Sequence, residues 1–492
     1  MKDLKFRAYL FVSFFSLDYA NLQANIMNVR LRFLGASQTV TGSKYLLELD
    51  DYKVLIDCGL FQGKKELRLL NWDAFPVNPA EIDCVLLTHA HIDHTGYLPR
   101  LVKQGFKGKI YCTQATKDLL GILLLDAAKL QEEEANYASK KGYSKHEQPE
   151  PLYNTEDAEA VLPLLSGYSF KEPIQITPNL RIRYQIAGHI LGAAIIEVFI
   201  KGDKTQKKIV FSGDLGRYLD PLMPPPTAIQ ETDILLVEST YGNRDNIDTS
   251  PEKELGRIVR HSVEAGCLII PAFSVGRTQT VLYYLTRLLA KKEIPTVPIY
   301  IDSPMAINVT DLYRKYEDCH LLSKNMFQNG ANFLNNPLIH YYQSQDLSVS
   351  LNQITKKAII ISASGMVTGG RILHHLYNRL PRQEDTVLFV GYQPEGTRGY
   401  DLLHGSPTIR IFGVPVVVNA QIEKIDGLSA HADQEELLRW LSNFTAPPKI
   451  TFVVHGERDA SETFASLIRE RMNWHNVIVP QYLESVVLFK GI

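Results

Sequence analysis

Thr88-His89-Ala90-His91-Ile92-Asp93-His94-Thr95-Gly96 is the stretch from which the rest of the chain can be read. It directly follows Cys84–Leu87, a short apolar run that predicts a strand ending where the polar residues begin. Three histidines and one aspartate fall within six residues, and the packing of a strand end needs none of them. In an extended turn His89 and His91 point to one side and can share one metal ion. Asp93 and His94 are displaced from that pair and can hold a second ion. Imidazole and carboxylate donors suit Zn²⁺.

Two ions need more ligands, and the chain offers them at other strand ends. His189 lies in Ala187-Gly188-His189-Ile190-Leu191-Gly192, where flanking glycines let the backbone fold tightly around a metal. Asp214 lies in Phe211-Ser212-Gly213-Asp214-Leu215-Gly216, and its two oxygens can bridge two metals. His455 ends the predicted strand Ile450–Val454. Asp57, in Leu55-Ile56-Asp57-Cys58-Gly59, suits a carboxylate that orients a metal ligand or a bound water.

Short β-branched and aliphatic runs bounded by polar turns recur through the first half, at Val29–Leu34, Tyr45–Leu49, Lys53–Ile56, Ile195–Ile200, Ile209–Phe211 and Ile234–Val237. Helical patterns fall between some of them, at Gln114–Lys129 and Thr155–Leu165. After Gly242 a second block alternates strand and helix: Pro251–Glu264, Leu268–Pro271, Thr278–Leu289, Ile299–Asp302, Ala358–Ser362, Arg371–Leu380 and Val387–Val390. Such alternation implies a parallel α/β sheet. Beyond Ser406 come strands Ile409–Phe412 and Val416–Ala420, helix Gln434–Ser442, and helix Ser461–Met472. Chemical residues stand on both sides of the second block, which predicts an α/β domain inserted into a split catalytic domain. The expected divisions are residues 27–242, 243–407 and 408–492.

With 492 residues, 45% hydrophobic and 22% charged, the chain is long and apolar enough for two or three packed units. Disorder, collagen-like repeats and a disulfide scaffold are excluded. A formal net charge of -2 argues against a protein coating polyanions over its whole surface, while leaving room for a local basic cleft. Cys58, Cys84, Cys112, Cys267 and Cys319 are scattered and odd in number, as buried thiols in a reducing, cytoplasmic setting would be. No segment approaches the ~20 apolar residues of a membrane span. Lys2, Lys5 and Arg7 before the apolar run Ala8–Leu17 imitate a signal peptide without its cleavage site, so residues 1–26 are expected to be an extension or a mis-assigned start.

The combination of T-H-x-H-x-D-H, a preceding D-x-G, a later G-H and an S-G-D resembles the metallo-β-lactamase superfamily. The resemblance runs from Met27 to the end. It implies a four-layer αβ/βα sandwich with the metals at its edge. Further motifs resemble the β-CASP nucleases of that superfamily: Glu238 in Val237-Glu238-Ser239-Thr240-Tyr241-Gly242 matches motif A, His431 in Leu428-Ser429-Ala430-His431-Ala432-Asp433 matches motif B, and His455 matches motif C. The inserted block resembles the β-CASP cap, including Asp302-Ser303-Pro304-Met305-Ala306 and Gly391-Tyr392-Gln393-Pro394-Glu395-Gly396-Thr397. Compact prokaryotic ribonucleases resembling the endonuclease subunit of the pre-mRNA 3′-end cleavage factor are the nearest expected relatives.

The resemblance implies a first metal on His89, His91, His189 and Asp214 and a second on Asp93, His94, Asp214 and His455. Two Zn²⁺ (or Mn²⁺) about 3.5–4 Å apart would generate a hydroxide that attacks a phosphodiester. His431 would be the general acid, with Glu238 holding its tautomer, and the products would carry 5′-phosphate and 3′-hydroxyl ends. His at motif C implies RNA, in single strands, rather than DNA. A small-molecule metallohydrolase (lactonase or thioesterase type) on the same fold is the competing enzyme class. A homodimer is implied as well. For phosphate binding the candidates are Ser364 and Gly365 in a Gly-rich strand-to-helix turn, Arg277, Arg398, and Ser429 of motif B. Gln131-Glu132-Glu133-Glu134 reads as a solvated helix face, and His374-His375 as surface or cleft residues.

Overall fold

The computed structural model describes residues 27–141, 149–203, 205–244, 250–322, 333 and 336–492. The expected extension over residues 1–26 lies outside them.

Two seven-stranded mixed sheets pack face to face. The first runs Ser485–Phe489, Val29–Phe33, Tyr45–Leu49, Tyr52–Ile56, Cys84–Leu86, Lys109–Thr113, Leu165–Tyr168; the second runs Val477–Ile478, Ile450–Val454, Ile234–Glu238, Gln206–Phe211, Ala194–Lys201, Leu180–Ile186, Pro173–Thr177. Alternation along each strand sorts its side chains between two cores. Leu47, Val54 and Ile56 meet Ile182, Ile196 and Phe452 between the sheets. Their neighbours Leu46, Leu55 and Val85 face outward and pack with apolar residues of helices such as Leu98–Lys103 and Gln114–Lys141. Covering both faces explains why the strands read as continuous apolar runs. Helices, two sheets and helices make the four-layer α/β sandwich of the metallo-β-lactamase type.

The inserted cap is a six-stranded parallel sheet in the order Ile339–Tyr341, Ile299–Ile301, Ala358–Ser362, Cys267–Pro271, Thr386–Phe389, Gln421–Lys424. Its last strand pairs with Thr386–Phe389, and the hairpin Thr408–Ile411/Val414–Val417 buries Ile409, Ile411 and Val416 in the cap core. The cap sheet therefore reaches Lys424, past the expected division at residue 407. Strand-forming residues look alike in either lobe, so local pattern alone places this segment in neither.

Thr155–Leu165 is not one helix. It is helical over Thr155–Glu159, turns through Leu162–Leu164 and becomes the strand Leu165–Tyr168. Pro163 has no N–H to donate and its ring clashes with a preceding turn. Gln131 and Glu132 are tethers as well as helix surface: Leu152 N donates to Gln131 Oε1, and Thr155 donates through N and Oγ1 to Glu132. Among the described residues, no helix is long and apolar enough to cross a membrane.

Candidate metal centre

Parallel strands deliver the site residues to one edge of the sandwich. Asp57 follows Tyr52–Ile56 and His89 follows Cys84–Leu86, two paired parallel strands of the first sheet. In the second sheet Asp214 follows Gln206–Phe211, Glu238 ends Ile234–Glu238, and His455 follows Ile450–Val454, again parallel neighbours. Carboxyl ends of parallel strands leave a crevice where polar side chains converge. Tight backbone makes the approach possible. A Cβ on Gly213, at φ +56°, would lie 2.8 Å from Thr88 Cβ, and one on Gly188, at φ +77°, would lie 2.2 Å from the Pro224 carbonyl oxygen. Asp57 and His455 adopt φ of 58° and 50°, a left-handed conformation costly for such residues and held here by their surroundings.

His89 Nε2, His91 Nδ1, His189 Nε2 and Asp214 Oδ2 converge on one point. Their spacings are 3.0 Å (His89–His91), 3.2 Å (His189–His91), 3.4 Å (His89–Asp214) and 3.6 Å (His189–Asp214). A second group joins His94 Nε2 to His455 Nε2 at 2.9 Å, to Asp214 Oδ1 at 3.3 Å and to Asp93 Oδ2 at 3.8 Å. A tetrahedral ion bound at 2.0–2.1 Å leaves its ligand atoms roughly 3.3–3.4 Å apart, so both groups have the right spacing for Zn²⁺-like ions. Asp214 Oδ1 and His189 Nδ1 are buried without a hydrogen-bond partner among the described residues. A buried carboxylate oxygen without a donor calls for a cation. The donor set fits two metal ions: His89, His91, His189 and Asp214 would hold one and Asp93, His94 and His455 the other, with Asp214 Oδ1 3.3 Å from His94 Nε2.

The surrounding contacts orient these ligands. Asp57 accepts from Thr88 N and Thr88 Oγ1, both at 2.8 Å, and lies 2.8 Å from His94 Nδ1, which turns His94 Nε2 toward the cluster. Thr88 Oγ1 is also 3.1 Å from His89 Nδ1, and Thr240 Oγ1 is 3.1 Å from His455 Nδ1. Neither threonine stood out in the sequence; their signal is adjacency to His89 and to motif A. Burial opposes ionisation of Asp214, but His455, His94 and His89 around it hold its carboxyl well below the usual range.

His431 reaches this edge from the far end of the chain. Gly216 bridges to it, and Ala432 N donates to the Leu215 carbonyl at 2.8 Å, pinning motif B beside Asp214. Glu238 Oε1 lies 3.3 Å from His431 Nδ1 and accepts from Leu215 N at 2.6 Å, and Oε2 accepts from Thr240 N at 3.2 Å. The carboxylate is thus fixed by backbone. Burial works against a charge on His431, yet the Glu238 carboxylate beside it outweighs burial and raises its pKa.

Comparison with known proteins decides the family. Residues 40–254 match the metallo-β-lactamase superfamily, 278–402 the Beta-Casp domain, and 415–480 the Zn-dependent metallo-hydrolase RNA specificity domain. Ribonuclease TTHA0252 of Thermus thermophilus is 34% identical over 90% of this chain and 96% of its own length. The chain belongs to the β-CASP ribonuclease family of the metallo-β-lactamase superfamily. An RNase J-like protein of Methanocaldococcus jannaschii is 31% identical over 92% of this chain and 98% of its own. Transcription termination factor FttA of Methanosarcina mazei is 30% identical over 90% and 69%. A protein of unknown function from Enterococcus faecalis shares the fold, with TM-score 0.52, 14% identity and coverage of 94% of this chain and 100% of its own.

In this β-CASP chain the expected phosphate residues fare unequally. The Gly-rich turn closes on itself: Ser364 N donates to the Gly369 carbonyl, Val367 N to the Ser364 carbonyl and Thr368 N to Ser364 Oγ. Gly365 packs against Phe273, and its carbonyl accepts from Gln393. Arg398 gives Nε to the Arg410 carbonyl and Nη1 to the carbonyls of Val367 and Thr368, which braces the cap. Ser429 Oγ accepts from His431 N and shapes motif B. Arg277 stays available: burial lowers its pKa to about 10, with Asp220 and Arg217 nearby, and its buried Nε has no partner among the described residues. His375 is no surface residue. It is buried in the cap, its Nε2 2.7 Å from Asp302 Oδ2, while exposed His374 packs on Phe412.

Proposed function

We propose that the chain is a zinc-dependent ribonuclease that hydrolyses phosphodiester bonds of single-stranded RNA in the crevice between sandwich and cap, leaving 5′-phosphate and 3′-hydroxyl ends. The observation that carries this reading is the fixed Glu238–His431 pair on the rim of a donor set suited to two metals. Two such ions, when bound, lower the pKa of water and offset charge on the non-bridging phosphoryl oxygens. His89, His91, His189, Asp93, His94, His455 and the shared Asp214 would hold them. Asp57 keeps His94 in the tautomer whose Nε2 faces the cluster. Glu238 accepts the Nδ1 proton of His431, leaving Nε2 to carry the proton that moves to the departing ribose 3′-oxygen. The 3′-oxygen of a ribose is a poor leaving group, so a general acid matters more here than for an activated small ester. Arg277 is the cation placed to meet a neighbouring phosphate.

The test uses 5′-labelled single-stranded RNA and DNA of one sequence, with metal-loaded wild type and His431→Ala side by side. RNA cut by wild type and spared by the variant is the expected result. DNA cut in preference to RNA would reassign the chain to DNA, and neither polymer cut by a preparation holding two metals would point to a small-molecule hydrolase.

A further inference from the structure

The rim beside His431 carries an aromatic arrangement that the proposed chemistry does not use. Tyr241 stands edge-on to His431, ring centroids 5.9 Å apart at 86°. Tyr392 stands across from Tyr241 at 6.5 Å and 83°. The Arg244 guanidinium lies in the angle between them, 5.7 Å from the Tyr241 ring and 5.9 Å from the Tyr392 ring.

These residues come from both lobes. Tyr241 and Arg244 follow the strand Ile234–Glu238 of the sandwich, and Tyr392 follows the strand Thr386–Phe389 of the cap. Each backbone is anchored. Gly242 N donates to the Ser239 carbonyl, the Gly242 carbonyl accepts from Gln434 Nε2, and the Arg244 carbonyl accepts from Gln434 N. Gln393, next to Tyr392, donates to the Gly365 and Gly391 carbonyls. The side chains are less committed: Tyr392 is 37% exposed, and the exposed Arg244 guanidinium makes no ion pair or hydrogen bond among the described residues. Packing gives no reason to hold two rings and a guanidinium at the mouth of a polar crevice. Single-stranded nucleic acid does, because its bases stack on aromatic faces and on guanidinium planes.

We propose that Tyr392 offers the stacking face, with Tyr241 edge-on to it and Arg244 beside both completing the clamp, for the base of the RNA nucleotide on the 5′ side of the scissile phosphate. The proposal rests on the ribonuclease reading. The 3′-oxygen that His431 protonates belongs to that nucleotide, so its base leaves the cluster on the side where Tyr241 stands. Every base has a stacking face, so the clamp selects unpaired RNA over duplex and is tolerant of sequence.

The experiment maps the cut in one RNA oligonucleotide with wild-type, metal-loaded enzyme. It then compares that RNA with a copy lacking only the base 5′ of the cut, for wild type, Tyr392→Ala and Tyr392→Phe. On intact RNA, Tyr392→Ala is expected to raise KM by about 5- to 150-fold, the scale of one lost base stack, with much less effect on kcat. On the abasic RNA, wild type already shows that loss and Tyr392→Ala adds less than about twofold, since the two changes remove one interaction. Tyr392→Phe keeps the ring and restores the difference between the substrates. Equal damage by Tyr392→Ala on both substrates, or none on either, would overturn the clamp. A dependence on the base 3′ of the cut would overturn its placement. Wild type cutting neither RNA would instead remove the ribonuclease reading, and the clamp with it.

Discussion

Glu238 and Asp302 are buried carboxylates that each hold a histidine, one in each lobe. Glu238 and His431 sit at the sandwich edge beside the His/Asp donor cluster, with the His431 side chain 20% exposed. Asp302 and His375 sit inside the cap, at 0% and 2% exposure. Asp302 also takes Arg371 Nη1 at 2.7 Å and Ser348 Oγ at 2.6 Å, so its charge is neutralised on the spot. Among the described residues Glu238 takes only backbone amides besides His431, which leaves the imidazole as its one side-chain partner there. The same pairing is proposed here for proton transfer in one lobe and stitches helix to strand in the other. What differs is whether the histidine's second nitrogen has somewhere to deliver a proton.

Variants that touch turnover should separate the pairs in order of effect. Asp214→Ala removes the carboxylate common to both donor groups. Metal content measured by mass spectrometry should fall, and RNA cleavage with it to background; two metals retained per chain would refute the shared role. His431→Ala should keep both metals and lower kcat by about 10²–10⁴-fold, the usual scale of general acid catalysis. Normal turnover in that variant would remove His431 from the chemistry. Glu238→Gln should cost less, and its signature is a pH profile. The Glu238 carboxylate raises the His431 pKa against the pull of burial, so the acid form survives to higher pH in wild type. Without the charge, the alkaline limb of kcat should move to lower pH; an unmoved limb would mean that Glu238 does not tune His431.

Much of this was legible in the sequence because metal chemistry is local. Thr88–Gly96, the glycine-flanked His189 and Asp214, and the motif residues Glu238 and His455 lie at or just past strand ends, which the fold brings together, while His431 stands in the loop before helix Gln434–Leu441. Residues whose role depends on another lobe were not legible. His374 is exposed as expected, but His375 read as a surface or cleft residue because its carboxylate, Asp302, lies 73 residues away in the chain. Arg398 read as a phosphate clamp because nothing local reveals that three carbonyls already occupy it. The strand Gln421–Lys424 carries no mark of the sheet it joins, and Pro163 inside an otherwise helical pattern was the one local warning of a broken helix.

The cap pair should show the opposite behaviour to His431: no effect on turnover and a large one on stability. Asp302→Asn leaves partly buried Arg371 without its counter-charge and buried His375 without its carboxylate partner, which should cost about 3 kcal/mol. Turnover of the folded variant stays within about twofold of wild type, because the site is spared. The pH dependence gives the sharper reading. Burial alone would raise the Asp302 pKa, but His375, Ser348 and Arg371 together hold it below the usual carboxylate value. A depressed folded pKa means that the contribution is fully present above the unfolded value of about 3.9, and is lost as pH falls through the folded value. Urea melts of wild type and Asp302→Asn at pH 7 and 5 should therefore differ by the full amount, and the gap should narrow only below about pH 4. A gap already closed at pH 5 would show that Asp302 does not carry its charge in the folded cap, and the contrast between the two pairs would fail with it.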